Sequence, residues 1–169
     1  MRRNPGIVLS IVIPLVALWG SPGSRAAEPD LASCKVAPSE LAPAAAFSLK
    51  NEALTPGVAF LDLGCAMVWR RQLCAMDMVA FDGNSLVRDY ATGREVAAEK
   101  AWYVLGAGVE TPYGFGIVAF ERRASAEDLV ARRGTGRIAT FDDLKGASLT
   151  RQPGGGSPPG RPAETVSPQ

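Results

Sequence analysis

Apolar stretches separated by turn signals follow one order along the middle of the chain, and that order occurs twice. Ala44 to Lys50 predicts a strand with Phe47 and Leu49 on one face. Thr55-Pro56-Gly57 is a turn, and Val58 to Leu61 predicts a second strand. Asp62 has the position of a helix N-cap, and the apolar-rich run behind it predicts a helix to about Cys74. Asp82-Gly83-Asn84 is a turn signal, and Ser85 to Tyr90 reads as a third strand. The order then returns, with strands at Ala101 to Leu105 and Gly114 to Glu121. Ser125 caps a helix carrying Glu127 and Asp128 in its first turn, Gly134 stops it, and Arg137 to Phe141 forms the last strand. Ala91-Thr92-Gly93 is a turn, and Val96 to Lys100 fits strand or helix. Each half is strand-strand-helix-strand. The pattern therefore predicts an α+β domain over 44–149, built as an internal duplication of two ββαβ units at about 44–90 and 98–144.

The ends of the chain carry different signals. Arg2 and Arg3, the apolar stretch Ile7 to Trp19 and the small residues around Ser24-Arg25-Ala26 predict a signal peptide over 1–26, cleaved after Ala26. That apolar stretch is short for a membrane span and contains Pro14. The expected location is the periplasm. Residues 27–43 form an N-terminal segment, within which Leu31-Ala32-Ser33-Cys34 has the form of a lipoprotein cleavage site. A lipobox normally abuts the apolar core, whereas here a polar stretch with Pro22, Arg25, Glu28, Pro29 and Asp30 intervenes, so membrane attachment is expected only if Cys34 is lipidated. Residues 150–169 are rich in Pro, Gly and Ser and predict a disordered tail, because such a segment buries too little surface to offset its ordering entropy.

Composition narrows the chemistry. With 18 basic and 17 acidic residues and no basic run, nucleic acid is not an expected partner. The chain has no histidine, which excludes Ser-His-Asp and Cys-His hydrolases and removes the commonest metal ligand. A metal site must use Cys, Met, carboxylate or backbone, and thiolate with thioether selects soft Cu(I). Three cysteines in an exported chain cannot all pair, so one stays free, is lipidated or binds a metal.

The soft donors are Cys34, Cys65, Met67, Cys74, Met76 and Met78. On one continuous helix Met67, Cys74 and Met78 share a stripe, which fits either a Cu(I) site or plain core. Cys65 and Cys74 then fall on opposite faces, leaving Cys34–Cys65 and Cys34–Cys74 as the open disulfide pairings. Thr111-Pro112-Tyr113-Gly114 reads as a rigid loop before a strand, and Gly114 and Gly116 permit close approach. Asp62 and Asp142 suit caps and turns, no spacing argument makes Asp89 or Asp143 catalytic, and Trp69 and Trp102 are expected to anchor the two halves of the core. Arg70-Arg71, Arg122-Arg123 and Arg132-Arg133 read as solvated charge.

Several of these segments together resemble one family. They are Phe60-Leu61-Asp62-Leu63-Gly64-Cys65, Val87-Arg88-Asp89-Tyr90 with Thr92-Gly93, Ala98 to Val104, Val109 to Phe120 and Phe141-Asp142-Asp143-Leu144. The chain resembles the NosL family, accessory proteins of nitrous oxide reductase that handle Cu(I) outside the cytoplasm. The resemblance covers about Ala44 to Leu144 and implies two ββαβ units, no enzymatic activity, Cu(I) as the metal, and a copper enzyme such as nitrous oxide reductase or its maturation system as partner. In that family the 111–114 segment reads Thr-Pro-Met-Gly with Met a proposed copper ligand, and here the position is Tyr113. The family's N-terminal Cys-Gly-Met corresponds to Cys34-Lys35-Val36, so the Cys is kept and the Met is Val36. The resemblance carries over Cys34 as a metal ligand, and the soft donors nearby in sequence make Cys65 or Met67 its expected companion. Loss of both thioethers implies the alternative of a metal-free binding or assembly module. An enzyme of the organomercurial lyase kind, similar in fold, would need paired cysteines and an acid.

Overall fold

The computed structural model describes residues 31–41 and 46–152. The expected signal peptide, its cleavage site, residues 42–45 at the start of the domain and all of the tail beyond 152 lie outside the described residues. The elements in chain order are α1 (Leu31–Cys34), β1 (Lys35–Val36), β2 (Leu49–Asn51), β3 (Val58–Phe60), α2 (Leu63–Arg70), α3 (Ala75–Asn84), β4 (Ser85–Arg88), β5 (Glu95–Ala97), β6 (Trp102–Leu105), β7 (Ile117–Phe120), α4 (Arg123–Arg133), β8 (Arg137–Ala139) and α5 (Phe141–Gly146). Val96 to Lys100 divides between the two readings open to it, a strand to Ala97 and a 3₁₀ turn over Ala98–Lys100.

Two antiparallel sheets result, ordered β1-β3-β2-β4-β5 and β7-β6-β8. In each half the first strand of the unit lies between the second and the third: β3-β2-β4 in one, β7-β6-β8 in the other. The fold is α+β with two units of the same strand order, the expected ββαβ plan except that the first unit carries two helices, α2 and α3, between its second and third strands. Asp89 ties the units together. Tyr90 N–H donates to the Ala119 carbonyl at 2.8 Å, and Asp89 Oδ2 accepts the Glu121 N–H at 2.6 Å.

The period-2 alternation of strands explains the two cores. Tyr103, Leu105, Ile117 and Ala119 face a large cluster with α2, Phe60, Phe81, Phe141 and Leu144. Val104, Val118 and Phe120 face the opposite way, against Ala126 and Leu129 of α4. A strand covered on both faces has no polar side to present, which is why Ile117-Val118-Ala119-Phe120 is continuously apolar. Trp69 packs with Phe60 and Phe81 at 5.2 and 6.0 Å, and Trp102 lies against the second cluster under Arg123.

Five expectations need correction. The helix after Asp62 ends at Arg70, not Cys74; Gln72 and Leu73 N–H groups bond the Trp69 and Arg70 carbonyls, and a new helix starts at Ala75. Met67, Cys74 and Met78 therefore share no helical stripe. Asp82-Gly83-Asn84 is the last turn of α3, which Asn51 Nδ2 supports from β2 by donating to the carbonyls of Ala80 (3.1 Å) and Phe81 (3.0 Å). Arg70 is a half-buried partner of Asp82, joined by both Nε and a terminal nitrogen, rather than solvated charge. The second-half helix starts at Arg123 with Arg122 as N-cap, and the last strand ends at Ala139, where Thr140 and Asp143 form a capping box that opens α5.

Candidate functional site

Cys34 ends α1 and leads into β1, whose register sets Lys35 against Phe60. The Leu61 N–H donates to the Cys34 carbonyl at 3.1 Å, holding Cys34 beside the chain that enters α2. Asp62 is the N-cap of that helix, so Cys65 stands in its first turn. Cys34 and Cys65 are 6.4 Å apart at Cα and form a disulfide, both with no exposure. Of the two pairings the sequence leaves open, the fold makes this one. Cys74 is a free, exposed thiol that donates to Asp77 Oδ2 at 3.1 Å.

The same buried Asp62 brings a distant loop to the bridge. Its Oδ1 accepts the Gly64 N–H at 2.8 Å, and its Oδ2 accepts the Thr111 hydroxyl at 2.6 Å and the Tyr113 N–H at 3.0 Å. Burial pushes the Asp62 carboxyl above the usual carboxylate range, and these hydrogen bonds, Thr111 first, pull against that rise without cancelling it. Both oxygens are committed to the framework. The loop closes on itself through Gly114 N–H to the Thr111 carbonyl and Gly116 N–H to Thr111 Oγ1. Gly114 and Gly116 hold φ of 77° and 63°, a left-handed region that side-chain-bearing residues avoid. Phe115 then lies directly on Gly64 of α2, where a Cβ would stand 2.0 Å from the ring.

Tyr113 is the consequence of this arrangement. It is buried, and its hydroxyl donates to the Ser33 carbonyl, one residue before Cys34. The structure thus gathers Cys34, Cys65 and position 113, which are separated by up to 79 positions in sequence (113 − 34 = 79). Met67 is not on that face. It lies two residues beyond Cys65, about 200° around the helix, and is buried in the main core.

The NosL family model matches residues 69–149. Over that stretch the chain carries a NosL domain. No protein of curated function and no solved structure matches it. A NosL domain carries an accessory role, and the matched stretch contains the Thr111–Gly116 loop and Tyr113. Cys34, Asp62 and Cys65 precede the matched stretch, so their place beside the loop is known from the fold alone.

The donor set decides what this chain can hold. Among the described residues no group of three or more Cys, Asp and Glu side chains is gathered for a metal ion. The bridged sulfurs offer no thiolate, and the Tyr113 phenol is engaged with Ser33. Reduction of the bridge would leave two adjacent thiols, a set that suits Cu(I) as cargo and hard cations poorly.

Sequence reasoning identified Cys34, Cys65 and Tyr113 singly but not their juxtaposition. It also passed over Thr111 and Gly64, which make the loop's contact with α2. The signal available was Asp62, a cap residue whose second oxygen remained unassigned. Asp89, Asp142 and Asp143 resolve as framework. Asp89 Oδ1 accepts the Ala91 and Thr92 N–H groups and the Thr92 hydroxyl, Asp143 completes the α5 capping box, and Asp142 pairs with Lys145.

Proposed function

We propose that this protein is a periplasmic accessory protein that handles Cu(I) for the maturation of a copper enzyme such as nitrous oxide reductase, and that it does so only with the Cys34–Cys65 bridge reduced. The observation that carries the reading is the convergence of Cys34, Cys65 and the position-113 loop at one buried place. Cys34 and Cys65 are the ligands in this reading. Cys65 stands in the first turn of α2, within bonding distance of Cys34. Met67 faces elsewhere and is left out of the ligand set. A buried disulfide suits an oxidising compartment, in keeping with the N-terminal export signal.

The test is an anaerobic titration with Cu(I) against a chromophoric competitor, on the reduced protein, the bridged protein and a Cys34→Ala variant. One-to-one binding by the reduced protein, absent from the other two, is the expected result. No uptake by the reduced protein, under conditions that load a NosL protein with Met at position 113, would overturn it.

A second reading is favoured by one specific observation. Tyr113 fills the loop's place beside Cys34 with a phenol that is a poor Cu(I) ligand and is already hydrogen-bonded. In this reading the protein is a metal-free NosL module used for binding or assembly. Tyr113→Met separates the two, because it strengthens Cu(I) uptake only where Cys34 and Cys65 already bind.

A further inference from the structure

The loop that bears Tyr113 is held from both sides. Its inward groups bond Asp62, while its outward carbonyls are taken by residues that follow α5. Arg151 Nε donates to the Tyr113 carbonyl at 2.6 Å, and Gln152 N–H donates to the Gly114 carbonyl at 2.7 Å. The Gln152 side chain lies across Gly116, where a Cβ would stand 2.2 Å from its Nε2. At its other end this segment is anchored where Arg71, just beyond α2, donates to the Ala147 carbonyl, and Leu149 packs on the main core. Residues 147–152 therefore run as a strap over the loop. From the loop, the Tyr113 hydroxyl pins Ser33 and with it Cys34.

Thiol–disulfide exchange requires a thiolate to reach one sulfur of the bridge, and neither sulfur-bearing residue has any exposed surface. Access thus depends on local opening, whose frequency falls with each contact that must break. We propose that the 147–152 strap is a latch on the Cys34–Cys65 bridge: with Arg151 and Gln152 seated on the Tyr113–Gly114 carbonyls, Tyr113 stays locked on Ser33 and the bridge is closed to reductants, and lifting the strap exposes it. The latch controls access to the bridge whether or not the thiols then take up a metal.

The chemistry that reads it is reduction by dithiothreitol. One reductant thiolate attacks a bridge sulfur, the S–S bond breaks, and the departing cysteine takes a proton. The reductant's second thiol then displaces the other cysteine, leaving the reductant as its cyclic disulfide, so two electrons pass to the bridge. The experiment follows this in the full chain by quenching with iodoacetamide and counting alkylated cysteines by mass spectrometry. The exposed Cys74 supplies an internal standard for the alkylation.

Wild type is compared with Arg151→Ala/Gln152→Pro, which removes both strap donors, with Tyr113→Phe, and with the triple variant. Urea midpoints of all four bridged proteins separate local opening from global loosening. The strap variant should be reduced roughly tenfold faster, as expected for two hydrogen bonds lost from the closed state. Tyr113→Phe should also be faster, and the strap changes should add clearly less than their wild-type factor in the Tyr113→Phe background, because both act through one contact chain. Unchanged reduction in the strap variant would overturn the proposal. So would acceleration that merely tracks the urea midpoint, or an equal strap effect in both Tyr113 backgrounds.

Discussion

Replacing Gly64 with alanine sets two physical effects against each other at one residue. Alanine is the better helix former by as much as about 1 kcal/mol. At Gly64, however, the new methyl would stand 2.0 Å from Phe115 Cγ, 2.2 Å from its Cβ and 2.6 Å from Cδ1. Rotating the ring does not relieve this, since Cβ itself is in the way, so the backbone of the 111–116 loop must move. That loop is tied to Asp62 through Thr111 and the Tyr113 N–H, bonds worth about 1 kcal/mol each. Overpacking of a buried site costs about 1–3 kcal/mol. The net expectation is a loss of about 2 kcal/mol, or roughly 8 °C in Tm for a domain of this size. Gly83→Ala is the matched control. It lies in α3 with an ordinary φ and nothing within 4 Å, so it should stabilise by about 0.5–1 kcal/mol. Thermal and urea unfolding of the bridged proteins read both, and amide exchange at Tyr113 should quicken only in the Gly64 variant. If Gly64→Ala proves as stable as wild type, the close contact between α2 and the loop is refuted.

Three other outcomes follow from the same structure. Reducing the bridge, or replacing both Cys34 and Cys65 with alanine, frees a loop with a sequence separation of 31, and chain entropy puts the loss near 3.5 kcal/mol in a urea unfolding comparison. Asp62→Asn places an amide against donors and should cost about 1–3 kcal/mol. Because the Asp62 carboxyl is raised on folding, wild type loses stability as pH climbs from its unfolded value through the folded one, whereas the variant does not, so the difference should be larger at pH 4 than at pH 7. Asp89 has the opposite sign. Burial pushes its carboxyl up, but the Glu121, Thr92 and Ala91 hydrogen bonds outweigh that and hold it below the usual range. Its stabilisation is present above its unfolded value and lost as pH falls through the folded one, so Asp89→Asn should cost about 1–2 kcal/mol at pH 7 and less below pH 3.

Much of the fold was legible because its signals are local. Asp62 caps α2 through an oxygen two residues from its donor, and Gly134 ends α4 at a φ of 67°. The alternating and continuous apolar runs give strands at β3, β4, β6 and β7 close to where they occur. The repeated order of elements is likewise a property of the sequence, and it survives as the same strand order in each half. Where local signals were weak or misleading, the reading failed. Cys74 caps α3 with no side-chain bond to its backbone N–H groups, so nothing marked that start, and Asp82-Gly83-Asn84 has turn chemistry overruled by Asn51 from a neighbouring strand. The Thr140–Asp143 box was a readable signal hidden behind an apolar strand.

The sequence by itself determined the α+β class, the duplicated plan, the absence of histidine chemistry and the soft-donor inventory, because these depend on residue type and on spacings of a few positions. Only the tertiary structure decided which cysteines pair, that the Tyr113 loop reaches Ser33, and that Asp62 serves a helix and a loop at once. The reason is physical. Those choices are made by sheet register and by the bare backbone at Gly64 on which Phe115 settles, and neither is written within any single stretch of the chain.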